Sequence, residues 1–292
     1  MAVKFDVGVF DICRLSPQKN PVDTIWETIK GVSHAESCGF SRYWLGEHYT
    51  NDVAYGSPEL LVPVLAGVTE RIRIGTTSLL RCHSPFRLAS DFRLLESIFP
   101  NRIDLGIGRG SVSLAIRDLL MGSAPEGSYE QRVADLAGFL RGTGDVPAFP
   151  RGVAPPDLWL LGRKGTSMGL AAQLGIAFCL TLFLDPIETK PPSQVIRDYC
   201  LQFKPSLSME KPSWSIAIAG ACAHTESLAQ KRAEVVSGFF PSLIGTPAQC
   251  KQKLVELSET YATSRFMFLD SCVRFEDRME SYSLLSEALG LC

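Results

Sequence analysis

Short apolar runs alternate with amphipathic stretches along the whole chain. Residues 3–10 form an apolar run that stops before Asp11 and Pro17, and read as a first strand. Ile25, Ile29, Val32, Ala35 and Glu36 recur at helical spacing. Thr24 is expected to cap that helix and Gly39 to close it. Residues 41–46 read as strand two. Ser57-Pro58 opens a helix running to Thr69, since proline is tolerated in a first turn. Strand three is expected over 71–80, a helix from Pro85 to about Phe99, strand four over 102–108 and a helix over 129–141. A Pro/Gly-rich linker leads to Pro156. The remaining strands are expected over 157–162, 176–184, 214–221 and 265–269. Helices are expected over 166–174, between Pro191 and Pro212, from Thr225, over 247–261 and in a last stretch ending near Gly290.

Eight strand-like runs alternating with helices imply parallel pairing with right-handed crossovers. At 292 residues, the pattern favours a closed (β/α)8 barrel, a TIM barrel, as one domain spanning residues 1–292. Composition agrees: 46% apolar and 21% charged residues supply an ordinary globular core. A formal net charge of −2 gives no basic footprint for nucleic acid or anionic membrane. No apolar run reaches membrane-spanning length and no signal segment is evident, so a cytoplasmic location is expected. The nine cysteines, an odd number without a CxxC pair, read as free and mostly buried thiols. No set of residues stands at metal-ligand spacing.

In a parallel barrel the chemistry sits at the carboxyl ends of the strands. Strand two runs through Tyr43-Trp44-Leu45-Gly46 into Glu47-His48-Tyr49. His48 suits acid–base work near neutral pH; it equally suits a core histidine partnered by Glu47. After strand four, Gly106-Ile107-Gly108-Arg109-Gly110 offers close backbone approach and a guanidinium for phosphate, or simply a tight turn. Its spacing is not a dinucleotide fingerprint. After strand five, Arg163, Lys164, Thr166 and Ser167 precede or open a helix, where free amides favour an anion. They equally read as an N-cap with solvated charges. Loops after strands four and five are neighbours in a barrel, so Arg109 and this helix start could hold one phosphate together. His83, after strand three, reads more readily as structural.

The chain resembles the bacterial luciferase-like flavin monooxygenases. The resemblance is carried by Ala35-Glu36, Gly39-Phe40, Trp44-Leu45-Gly46-Glu47-His48, Ser57-Pro58, residues 69–75, His83-Ser84-Pro85, residues 100–110, Trp159-Leu160-Leu161-Gly162, Gly245-Thr246-Pro247 and Ser281-Tyr282. It implies a (β/α)8 barrel that binds reduced flavin, or a deazaflavin, at its mouth. By position, His48 is the implied catalytic histidine, oriented by Glu47. Arg109 is the implied phosphate contact, with Arg163, Lys164, Thr166 and Ser167 at the phosphate turn. A non-proline cis peptide near Thr76-Thr77-Ser78 is implied, which places Thr76 and Thr77 at the cofactor. Phe10, Trp44 and Phe183 are candidates for packing on the ring or substrate.

The implied activity is a monooxygenase using reduced FMN from a separate reductase, oxygen and a small organic substrate, in a homodimer. A deazaflavin-dependent hydride transfer and a non-enzymatic flavin-binding protein are the alternatives. The chain departs from the family's Glu-His-His with Tyr49, and from its Gly-Ser-Ser turn with Gly162-Arg163-Lys164. It also shortens the segment that covers the site in relatives. Between Ala233 and Gly245 only a short stretch with Phe239-Phe240-Pro241 remains. Shielding from water is then expected from substrate, a partner subunit or the crossover from Asp185 to Pro212.

Overall fold

The computed structural model describes residues 3–15, 19–110, 112–121, 127–143, 146–163, 165–184, 191–233 and 239–292. Lys164 lies outside them, as does the start of the 185–212 crossover. Strands β1 (Asp6–Asp11), β2 (Arg42–Gly46), β3 (Arg73–Leu79), β4 (Ile103–Gly108), β5 (Asp157–Gly162), β6 (Ala177–Thr181) and β7 (Trp214–Cys222) follow one another around a barrel. The short β8 (Leu243–Gly245) pairs with the carboxyl end of β7. β9 (Arg265–Asp270) lies between β7 and β1 and closes the ring. Eight parallel strands therefore form a closed barrel with helices between them, as expected from the alternation.

The helices are α1 (Pro21–Ser37), α2 (Val62–Gly67), α3 (Pro85–Ile98), α4 (Leu114–Met121), α5 (Tyr129–Arg141), α6 (Gly165–Leu174), α7 (Pro192–Gln202), α8 (Glu226–Arg232), α9 (Pro247–Tyr261) and α10 (Phe275–Leu289). Asn20, not Thr24, caps α1: its side chain accepts from the Asp23 amide at 2.9 Å. Pro21 starts the helix a turn early, and Thr24 is buried on its inner face. The stretch opened by Ser57-Pro58 divides into a 3-10 turn at Pro58–Leu60 and the short α2. No helix among the described residues is long and apolar enough to cross a membrane. All nine thiols are free, seven of them buried.

Strand alternation separates two cores. Outward residues such as Val7, Val9, Tyr43, Leu45, Ile74, Leu105 and Ile107 pack under the helices. Inward residues, among them Phe10, Trp44, Trp159, Cys179, Ala217 and Met267, fill the barrel. Below them, at the amino-terminal end, the interior is ionic. Asp104 is fully buried and accepts from Arg42 Nε at 3.1 Å, Arg73 Nε at 2.8 Å and Trp44 Nε1 at 2.8 Å. Asp6 pairs with Arg265 at 2.8 Å and Asp157 with Arg73 at 3.0 Å. This lattice stoppers one end and leaves the other for chemistry.

Two expectations on β3 are corrected. The peptide bonds through Thr76-Thr77-Ser78 are trans; the cis bond found among the described residues is Phe149-Pro150. β3 pairs in unbroken parallel register with β2 and β4 through this stretch, so nothing local demands a reversal. Thr76 shares the outward face with Ser78, and their hydroxyls hydrogen-bond at 2.8 Å. Trp44, offered for the ring or substrate, is fully buried 5.5 Å from Trp159, with its indole N–H held by Asp104.

Candidate active site

At the carboxyl ends of the strands lies a cavity of about 450 Å³. Of the residues singled out from the sequence, Glu47, His48, Thr77, Arg109, Arg163, Thr166 and Ser167 line it, as do Phe10 and Phe183. Thr76 does not, because strand alternation turns it toward the helices. Phe239, Thr181, Leu79, Leu161 and Leu184 complete much of the wall.

Each side chain arrives for a local reason. β4 and β5 are hydrogen-bonded neighbours, so Arg109 and the start of α6 meet at one rim. Gly162 allows the second of these: a Cβ there would sit 2.5 Å from the Cβ of Ser167, so glycine is what lets α6 close on the end of β5. Across the mouth, Gly46 has the same use. A Cβ would come within 3.2 Å of the Phe10 ring and 3.3 Å of the His48 ring. Its absence lets both rings pack against the end of β2.

His48 is half-buried, edge-on to Phe239 with ring centroids 6.3 Å apart. Its nitrogens take no hydrogen bond from the described residues. Burial pushes its pKa below the ordinary value near 6.5, against the opposing charges of Asp52 and Glu47. Burial therefore favours the neutral imidazole, the form that can accept a proton. Glu47 does not orient it. That carboxylate accepts from the Leu79 amide at 2.7 Å, from His83 Nε2 at 2.8 Å and from the Tyr49 hydroxyl at 2.9 Å. Burial disfavours charge on His83, but the hydrogen bond and charge of Glu47 outweigh it and raise its pKa. Glu47 thus braces the ends of β2 and β3, and the histidine it holds is His83.

At the opposite rim, Arg109 Nη2 meets Glu130 Oε1 at 2.5 Å, and its guanidinium lies 4.7 Å from the Tyr129 ring centre. Arg163 donates to the Leu184 carbonyl, while its buried Nε has no partner among the described residues. Thr181 Oγ1, at the inner end of the cavity wall, is likewise buried without one. Buried polar atoms are nearly always paired, so two orphans lining one cavity fit a bound ligand. The donors at this rim, two guanidinium groups, two hydroxyls and a helix start, suit a phosphate.

The sequence did not single out Thr181. Its only signal was a polar residue in an apolar run. Phe239 was visible only as the remnant of a shortened segment. That remnant is built into the wall: the Phe240 amide donates to the Phe183 carbonyl at 2.7 Å, and the Ser242 amide to Ala219 at 2.8 Å.

A parallel eight-stranded barrel with such a mouth has the architecture of a barrel enzyme. The chain belongs to the luciferase-like monooxygenase family, whose model matches residues 5–234, and this supports an oxidoreductase. It is 29% identical to protein YwcH of Bacillus subtilis, covering 97% of this chain and 99% of that one. That alignment runs over 332 positions against 292 residues here, so the relative carries at least 40 residues this chain lacks. It is 26% identical to the N-acetyl-S-alkylcysteine monooxygenase of the same organism, over 97% of this chain and 98% of the relative. The crystal structure of apo-MsnO8 superposes with a TM-score of 0.88 at 24% identity, over 99% of both chains.

More distant folds divide over cofactor. One is the oxygenating constituent of 3,6-diketocamphane monooxygenase from Pseudomonas putida in complex with FMN, with a TM-score of 0.75 at 17% identity over 98% of both chains. Another is an F420-dependent secondary alcohol dehydrogenase, with a TM-score of 0.69 at 14% identity over 98% of this chain and 99% of that one.

Proposed function

We propose that this protein is a flavin-dependent monooxygenase that takes reduced FMN from a separate reductase and, with oxygen, oxidises a small organic substrate in the cytoplasm. The observation that supports it most is the convergence of Arg109, Arg163, Thr166 and Ser167 on one cavity with His48, whose imidazole is kept toward the neutral form by burial and has no hydrogen-bond partner among the described residues. Reduced flavin, when bound, supplies the electrons that activate oxygen. The chain's own residues do the rest. Arg109, Arg163 and the hydroxyls of Thr166 and Ser167 hold the phosphate. Phe10, Phe183 and Phe239 keep water from the reacting atoms. Neutral His48 accepts the substrate proton at an imidazole nitrogen. Glu47 keeps the mouth rigid through His83, Tyr49 and the β3 end, a positioning role.

Titration with FMN, reduced FMN and reduced deazaflavin, with oxygen uptake followed, tests this reading. Reduced FMN should bind best and consume oxygen. Tight binding of deazaflavin without oxygen uptake would instead establish hydride transfer.

We also propose a homodimer through the α2–α3 side of the barrel. Leu60, Val64 and Val68 there are exposed, as are Leu94 and Ile98 on α3. Light scattering at micromolar concentration should give twice the chain mass, and Leu94→Glu with Ile98→Glu should return monomer; a wild-type monomer would refute this interface.

A further inference from the structure

The cavity has two chemically different ends. Beyond the phosphate-holding rim, from Phe183 next to the Leu184 carbonyl that Arg163 bonds, the wall is aromatic. Phe10 and Phe183 lie 5.8 Å apart, and Phe183 and Phe239 5.1 Å apart. His48 closes the row against Phe239. We propose that this row is the substrate subsite, that it takes an uncharged, flat, largely apolar molecule bearing one hydroxyl or carbonyl, and that Phe239 sets its specificity. The proposal rests on reading the Arg109 and Arg163 rim as the cofactor's phosphate site.

Three observations carry it. Tilted and edge-on rings at these distances offer faces and edges on which a flat apolar molecule packs. The polar groups this part of the cavity offers such a molecule are few: the imidazole nitrogens of His48, the hydroxyl of Thr77 and the buried hydroxyl of Thr181, which has no partner among the described residues. A single hydrogen-bonding group on the ligand would serve any one of them.

Charge argues against ions of both signs. The carboxylates of Glu47 and Asp52 act on the space around His48 and repel an anion. A cation would give up its hydration against the Phe10, Phe183 and Phe239 rings in a cavity that Arg109 and Arg163 already line. Phe239 is a fixed part of the subsite because its neighbours are tied to the barrel. Phe240 is hydrogen-bonded to β6's extension at Phe183, and Ser242 to β7 at Ala219. This part of the wall is a ring set by strand pairing.

The test uses three probes of one shape, 1-naphthol, 1-naphthoate and 1-naphthylmethylammonium, titrated into FMN-loaded protein by calorimetry, with FMN affinity measured separately. Naphthol should bind at least about tenfold tighter than either ion. Phe239→Ala should weaken naphthol about tenfold while FMN affinity holds, since the lost ring contacts are those to Phe183 and His48 and not to Arg109, Arg163 or α6. Phe239→Leu, which keeps an apolar side chain, should fall between and guards against a folding defect in the alanine variant. Equal binding of either ion, or unchanged naphthol affinity in both variants, would overturn the proposal. Phe239-dependent naphthol binding by protein that does not bind FMN would leave the subsite standing and remove the cofactor reading alone.

Discussion

The two ends of the barrel bury similar chemistry and treat it in opposite ways. At the amino-terminal end, Arg42, Arg73 and Arg265 face Asp6, Asp104 and Asp157, and each charge is met by another. At the mouth, polar atoms are left over. His48, Arg163 Nε and Thr181 Oγ1 have no hydrogen-bond partner among the described residues, and Arg109 is held by an exposed glutamate. A buried ion survives in a fold only when its lost hydration is replaced. The lower end replaces it with the protein's own groups and so belongs to stability. The mouth leaves polar atoms that the described residues do not meet, the pattern expected of a ligand site.

The largest expected effect tests the mouth. His48→Ala should slow turnover about 10²–10⁴-fold, the range for a lost acid or base, with flavin affinity and melting temperature nearly unchanged. With neutral His48 as the proposed base, the wild-type rate should have an acid limb with its midpoint below pH 6.5, because burial lowers its pKa. The same shift has a sign for folding. A depressed pKa favours the unprotonated folded state, so its stabilisation is present above about pH 6.5 and is lost as pH falls through the folded value. A folded variant that binds flavin and turns over at the wild-type rate would take His48 out of the reaction.

At the other end, Asp104→Asn should cost about 3–5 kcal/mol of stability, since the buried Arg42 and the half-buried Arg73 lose the carboxylate between them. Flavin affinity in the surviving folded fraction should be unchanged. Chemical denaturation and FMN titration on one preparation check both halves. A drop in FMN affinity with stability intact would erase the division between the ends.

Arg109→Ala comes next, with a loss of about 1.5 kcal/mol in reduced-flavin binding. A free guanidinium would be worth up to about 3 kcal/mol to a phosphate. Here Arg109 must first give up Glu130, so the lower figure is expected. Unchanged affinity would move the phosphate elsewhere.

The strand ends were legible because apolar runs stop abruptly at charged or hydroxyl residues there. β5 and α5 fall where the periodicity put them. The faces were harder. Thr76, Thr77 and Ser78 are all polar, so alternation alone could not say which one points inward; pairing with β2 and β4 decides that. Partnerships across the mouth were invisible for a related reason. Glu47 finds His83 36 positions away, and Phe239 reaches His48 only because β8 pairs with β7. Adjacent in sequence, Glu47 and His48 read as a pair; in space their side chains part. The His48 and Arg109 assignments owed more to family resemblance than to the residues read alone, because a histidine or arginine at a strand end has several common uses.

The smallest expected effect is the most direct probe of why the mouth's charges are replaceable. Glu130 is exposed, and its carboxylate meets Arg109 at 2.5 Å beside the cavity. A phosphate arriving at that rim must compete with it for the same guanidinium. Glu130→Gln keeps the shape, removes the competing charge and leaves the Tyr129 stack under Arg109 in place. FMN should then bind about two- to fivefold tighter at low ionic strength, the small gain typical of an exposed pair. Added salt should shrink the difference, because screening weakens the competitor it replaces. Riboflavin has no phosphate and should bind both proteins equally. A gain shared by riboflavin would show that the substitution changed the cavity's shape rather than its charge. No gain with FMN at low salt would mean that Arg109 never leaves Glu130, and that the rim's working cation is Arg163.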